Sequence, residues 1–315
     1  PPPHTSSRRQ RQMCIRDSNQ PINDWDVSKV TSMKEMFCRA KSFNQSLSNW
    51  DVSQVTDMSS MFSNTKSFNG DIINWDVSNV IDMSYMFFHA ESFNQSLNNW
   101  FGLEPHTSNV TDMHSMFDGA KSFNQPLNNW NVSKVTNMNN MFCYAHSFNQ
   151  YIGNWDVSQV TDMNNMFYNA HSFNQGINNW DVSQVVNMDC MFYDAHSFNQ
   201  YIGSWNTSNV RHMDYMFCNA ISFNQPINTK EITKEDSSTY IAWNVSNVEY
   251  MEFMFYGAKS FNQYIGSWDV SNVTDMKYMF TYAKLFNKSI DFWDVSNVTD
   301  MELSLIHISE PTRLT

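Results

Sequence analysis

Every tryptophan in the chain sits at one phase: positions 25, 50, 75, 100, 130, 155, 180, 205, 243, 268 and 293. The usual step is 25 residues, and two steps lengthen to 30 and 38. A fixed period of this length marks a solenoid, because a single short repeat cannot bury its apolar face and must cover it with its neighbour. The stretch Trp50 to Phe68, WDVSQVTDMSSMFSNTKSF, returns lightly edited at Trp75, Trp155, Trp180 and Trp268.

Within one repeat, Asn49, Trp50, Asp51, Val52 and Ser53 alternate polar and apolar, which predicts a short strand with one buried face. Val55, Met58, Met61, Phe62 and Thr65 follow at three- and four-residue steps, the stripe of a helix of two or three turns. Thr56 and Asp57 are suited to its N-cap. Phe68 and Ile72 lead back to Trp75. The expected fold is an α/β solenoid of about ten such repeats. Short parallel strands line one face and short helices the other. Trp50, Trp75, Trp155, Trp180, Trp268, Met58, Met61 and Phe62 are expected in the core. Asn69, Asn94 and Asn124 recur in the F-N-Q or F-N-G turn and are expected to form a ladder that satisfies turn backbone.

The spacing Leu47, Trp50, Val52 reads as the L-x-x-L-x-L core of a leucine-rich repeat, with tryptophan in the middle seat. The recurring S-F-N-Q-x-I/L-x-x-W-D/N-V-S-x-V-T-D-M-x-x-M-F resembles the repeat of the BspA-like leucine-rich-repeat family of microbial surface proteins, over roughly Asn19 to Met301. That resemblance implies a leucine-rich-repeat-like fold. It also implies a cell-surface or secreted protein used in adhesion or in host and matrix contact. The motif is specific for the repeat type and says little about the ligand.

Residues 19–302 read as a single repeat solenoid, with insertions near 101–107 and 229–242, the second of them charged (KEITKED). Insertions of this kind become rim loops, often on a binding face. Residues 1–18 and 303–315 lie outside the repeat. Met13 to Ser18 and Leu303 to Ile308 translate the two strands of one DNA segment that resembles a sequencing-library adapter, with residues 8–18 the part so explained at the start. Both tails are therefore set aside from fold reasoning. The chain carries 19 basic and 31 acidic residues, net −12. Without Arg8, Arg9, Arg11, Arg16, Arg313, Asp17 and Glu310 it carries 14 against 29, net −15. Such an acidic stack argues against nucleic acid as a partner. No apolar run is long enough to span a membrane. Cys38, Cys143, Cys190 and Cys218 fit neither a disulfide framework nor a zinc spacing, so free thiols are expected.

Three polar rows are candidate contact surfaces. The first is acidic and includes Asp51, Asp76, Asp156 and Asp181 with Asp26, Asp269 and Asp294; Asn131, Asn206 and Asn244 interrupt it. Bonds to the serine two residues on, together with solvent, would suffice for it. A basic protein surface or bridging Ca²⁺ are the functional alternatives, the latter without any D-x-D-x-D-G loop. The second row is Tyr151, Tyr201 and Tyr264, just before the return isoleucine. Tyrosine suits interfaces and could equally stack on sugars. A further set, Tyr85, Tyr168, Tyr193, Tyr215, Tyr256 and Tyr278, is expected to face away from the methionine stripe, where lateral packing between repeats is the simpler reading. The third row is His146, His171 and His196; the same seat holds Lys41, Lys66, Glu91, Lys121 and Lys259, which marks it as solvated, and no metal is expected there.

No HExxH, G-x-S-x-G, P-loop or dinucleotide fingerprint occurs. The expectation is a non-enzymatic scaffold without a cofactor, whose partner is a protein or a glycan on another surface. A structural spacer without a specific ligand is the remaining alternative.

Overall fold

The computed structural model describes residues 19–98, 100, 109–302 and 304. The segments 1–18 and 101–107 lie outside the described residues, as does the 303–315 segment apart from Ser304. The chain divides into two compact units, Pro1–Tyr151 and Ile152–Thr315.

In the N-terminal unit the repeat departs from the α/β expectation. Among the described residues of the chain there is no helix, and the only strands are β1 (Lys230–Thr233) and β2 (Thr239–Ala242), both in the second insertion. Where a helix was expected, backbone N–H groups alternate between two kinds of acceptor. Those of Met58, Ser60, Phe62 and Asn64 donate to Asp82, Ser84, Met86 and Phe88 of the next repeat at 2.6–3.0 Å. Those of Met61, Ser63 and Thr65 donate three residues back within the repeat, each at 3.1 Å. An N–H committed to a neighbouring repeat cannot also close a helical turn four residues back. The stripe Met58, Met61, Phe62, Thr65 is buried as a helix would bury it, but a run of tight turns does so. Isolated parallel bridges, Ser32↔Asp57, Asp57↔Asp82, Asp82↔Asp112 and Asp112↔Asn137, mark where these repeats meet.

The expected strand at Trp50 is absent for a related reason. Trp50 and Val52 are buried and Asp51 is exposed, as the alternation requires. Yet Asp51 Oδ1 accepts the Ser53 N–H at 3.0 Å, and the Val55 N–H donates to the Val52 carbonyl at 2.9 Å. Side chain and turn thus consume the donors that a sheet ladder would need.

The turns place two residues per repeat in the left-handed region, at the phases of Ser60 (φ 57°) and Asn64 (φ 60°). Asparagine fills many of these seats and tolerates them. At Gly257 (φ 64°) a Cβ would fall 2.1 Å from Asn219 Oδ1, so that amide would have to move aside for any larger residue. Tyr215 and Phe253 sit there despite their bulk, at a cost of roughly 1–2 kcal/mol each. Their stacked rings, 4.7 Å apart, offset part of it.

Aromatic columns run through the core of each unit, beside buried methionine, valine and leucine or isoleucine. In the N-terminal unit Phe37, Phe62, Phe87, Phe117 and Phe142 stack at 5.4–5.6 Å. Trp50, Trp75, Trp100 and Trp130 stack beside them at 6.1–6.5 Å. In the C-terminal unit Phe167, Phe192, Phe217, Phe255 and Phe280 do the same at 5.6–5.7 Å. Trp155, Trp180 and Trp268 are buried in that unit. Indole N–H groups reach back one repeat: Trp75 to Leu47 O at 3.0 Å, Trp180 to Ile152 O at 3.0 Å, Trp268 to Ile227 O at 2.8 Å. The asparagine ladder is present. The N–H of Asn69 donates to Asn44 Oδ1, that of Asn94 to Asn69 Oδ1 and that of Asn124 to Asn94 Oδ1, at 2.7–2.9 Å.

In the C-terminal unit the second insertion forms an antiparallel hairpin, β1 pairing β2 with Ile232 opposite Tyr240. Its turn is closed by the Lys234 N–H on Ser238 O at 2.8 Å, with Ser237 left-handed at φ 66°. The stack resumes without loss of register: the Trp243 N–H donates to Trp205 O at 2.9 Å, and His212 bridges Tyr250 in parallel. Ser304, inside the C-terminal tail, is buried and its Oγ donates to Met276 O.

Candidate functional site

The acidic row is exposed in both units. Asp51 and Asp76 in the first, and Asp156 and Asp181 in the second, each accept the N–H of the serine two residues on, at 3.0–3.1 Å. Hydrogen bonds from Ser53, side chain before backbone, hold Asp51 below the ordinary carboxylate range. Asn131, Asn206 and Asn244 make the same bond at 3.1–3.2 Å, so either residue type builds the turn.

The structure places Asp181 beneath the hairpin. The hairpin overhangs the turns around Trp180 and Trp205, leaving a polar cleft of about 330 Å³. Asn178, Asn179, Asp181, Ser204 and Asn206 line its floor and wall. Lys234 and Tyr240 come from the hairpin as its roof. The Tyr240 hydroxyl donates to Ser204 O at 2.5 Å, and Lys234 Nζ lies 5.5 Å from the Tyr240 ring centroid. Burial pushes the Tyr240 phenol up, and the Asp181 charge adds to the shift.

The tyrosine row is exposed at Tyr151 (48%), Tyr201 (37%) and Tyr264 (47%). Tyr201 is clasped by the hairpin, its hydroxyl accepting from Lys230 Nζ at 2.6 Å. Its ring also lies over Gly203, where a Cβ would come within 2.5 Å of it. The outer tyrosines pack laterally: Tyr168 stacks on Tyr193 at 4.5 Å, and Phe253 on Tyr278 at 4.6 Å. His171 and His196 stack face to face at 4.6 Å, with His196 Nε2 3.7 Å from Asp194 Oδ1. Burial holds His146 below the ordinary histidine value. Among the described residues no group of three or more His, Cys, Asp or Glu is placed to hold a metal ion.

Sequence reasoning missed Lys234 and Tyr240 as site residues. The alternation KEIT and TYIA about a D-S-S turn is the hairpin signal that could have found them. It also missed a row of carboxylates inside the C-terminal unit. There the Asp214 N–H donates to Asp189 Oδ1 at 2.8 Å and the Glu252 N–H to Asp214 Oδ1 at 2.7 Å. Burial, reinforced by Asp189, Glu252 and Asp275, pushes Asp214 up to about 7.

The family described as "Mycoplasma protein of unknown function, DUF285" matches four overlapping stretches of the chain, residues 8–105, 103–179, 151–242 and 230–307. The chain belongs to this family. The tandem matches accord with the repeats seen in each unit. No curated protein matches the chain. Among solved structures, one titled "Crystal structure of TLR13-ssRNA13 complex" aligns over 89% of this chain and 44% of that one, at 10% identity and a TM-score of 0.24. This chain thus spans less than half the length of that structure, and a likeness at that score carries no argument. Among the described residues no helix is long and apolar enough to cross a membrane.

Proposed function

We propose that the chain is a non-enzymatic recognition scaffold of a microbial cell surface, binding a protein through its Asp row. The observation that carries this reading is that the row is exposed while each carboxylate in it already accepts the N–H of the serine two residues on, within its own turn. The turns hold with aspartate or asparagine, so the negative charge contributes nothing that the fold requires. Exposed charge of one sign suits steering of a partner of opposite sign. The surface location and the adhesion role rest on the resemblance of the repeat motif to BspA-like leucine-rich-repeat proteins.

Binding of the purified chain to an immobilised panel of extracellular-matrix proteins, at low and high salt, tests the proposal. We expect binding that weakens with salt and weakens again in an Asp51→Asn, Asp76→Asn double variant that remains folded. Binding indifferent to both, or no binding across the panel, overturns it.

A further inference from the structure

The cleft beneath the hairpin has a chemistry of its own, independent of protein recognition by the Asp row. Its lining holds one carboxylate, Asp181, and one ammonium, Lys234, and so carries no net charge. The remaining polar lining is amide and hydroxyl: Asn178, Asn179, Asn206, Ser183 and Ser204. We propose that this cleft binds a neutral sugar unit.

Three observations carry the assignment. First, side-chain amides both donate and accept, as sugar hydroxyls do, and an amide or a carboxylate can meet two adjacent hydroxyls at once. Second, part of this wall is already oriented. Asn178 Oδ1 accepts the Ser204 hydroxyl at 2.5 Å, which leaves the Asn178 amide N–H groups for another acceptor. Asp181 Oδ1 takes the Ser183 N–H, while Oδ2 accepts no hydrogen bond from the described residues. Third, the roof is anchored rather than loose, through the Tyr240 hydroxyl on Ser204 O and Lys230 on Tyr201. Prior anchoring lowers the entropy lost on binding. The volume, about 330 Å³, falls at the small end of ligand sites. An anion would meet Asp181, and an apolar ligand would strand the amides without partners. A zwitterion would use the two charges but leave the amide wall unmatched.

Saturation-transfer NMR on the full chain tests the proposal, with free glucose, galactose, mannose and N-acetylglucosamine as probes and glycine and diglycine as zwitterionic controls. At least one sugar should show transfer to its ring protons. Its affinity should fall about tenfold in Asp181→Ala, the loss of a good two-point contact. Asp181→Asn should also weaken it and, by analogy with Asn206, should fold. Asp269→Ala, an exposed carboxylate of the same row outside the cleft, should leave it unchanged. Transfer to none of the sugars, or to the zwitterions alone, overturns the proposal. Equal losses in the Asp181 and Asp269 variants also overturn it, by placing the contact on the row, and leave the protein-recognition reading standing.

Discussion

The 25-residue repeats and the hairpin insertion use the same backbone chemistry to opposite ends. In the repeats, N–H groups are shared among local carbonyls, Asx side chains and the neighbouring repeat, and the column aromatics from Phe37 to Phe280 are buried. In the hairpin, β1 and β2 bond to each other, only Ala242 is fully buried, and Ile241 remains 42% exposed. The repeats are stabilised by stacking; the hairpin is held by a few anchors, Tyr240 and Lys230 foremost. The comparison teaches where distinct sites arise. A stack of near-identical repeats presents ladders of equivalent positions, and an insertion that breaks the period makes one rung unlike the rest. Asp181 shares its turn geometry with Asp156, but only Asp181 lines the cleft under the hairpin.

The largest expected effect lies in the columns. Trp180→Ala should cost about 3–5 kcal/mol, while Asp181→Asn beside it should stay within about 0.5 kcal/mol of the parent, both read from urea unfolding. Similar losses at the two positions would mean that the exposed row bears structural weight. Next, Asn199→Ala removes the acceptor of the Asn224 N–H and should cost roughly 1–3 kcal/mol. An unchanged midpoint would show that the ladder is incidental to the stack. Smaller still, Tyr240→Phe removes a hydrogen bond worth about 1 kcal/mol. Its effect should appear as faster protease cleavage in the Lys234–Ser238 turn, with the global midpoint unchanged. A midpoint shift as large as that of Asn199→Ala would show that the hairpin unfolds with the repeats.

A separate effect is a pH slope. Asp118 and Asp214 are pushed up to about 7 by burial, against an unfolded value near 4. Between those values the folded chain holds protons that the unfolded chain has released. Their contribution is therefore fully present below the unfolded pKa and is lost as pH rises through about 7. Melting temperature should climb on acidification from pH 8 toward pH 5, and Asp214→Asn should flatten part of that slope. A slope unaltered in Asp214→Asn would place the half-buried carboxylate row outside the titration. Hydrogen-bonded Asp26, Asp51 and Asp294 lie below the ordinary range and act in the opposite sense, at more acidic pH.

The amino-acid sequence by itself determined the period, the buried set and the exposed set. Trp50, Met58, Met61 and Phe62 are apolar at every recurrence of their phase from residue 25 to residue 293, and stacking buries such a set between neighbouring repeats. It likewise determined the asparagine ladder, since one amide at one phase of each repeat meets its counterpart in the next. Tertiary structure decided the backbone between those points. A spacing of three and four residues states which side chains share a face, and both a helix and a run of left-handed turns satisfy it. The choice fell to where the N–H of Met58 and Ser60 could donate, and their acceptors, Asp82 and Ser84, lie in another repeat. Tertiary structure also decided the cleft. Lys234 and Tyr240 lie more than fifty positions from Asp181, and only the folding of the hairpin back over two earlier turns brings them together. Local spacing reports burial; the partner of a hydrogen bond made across repeats is settled only when the repeats are stacked.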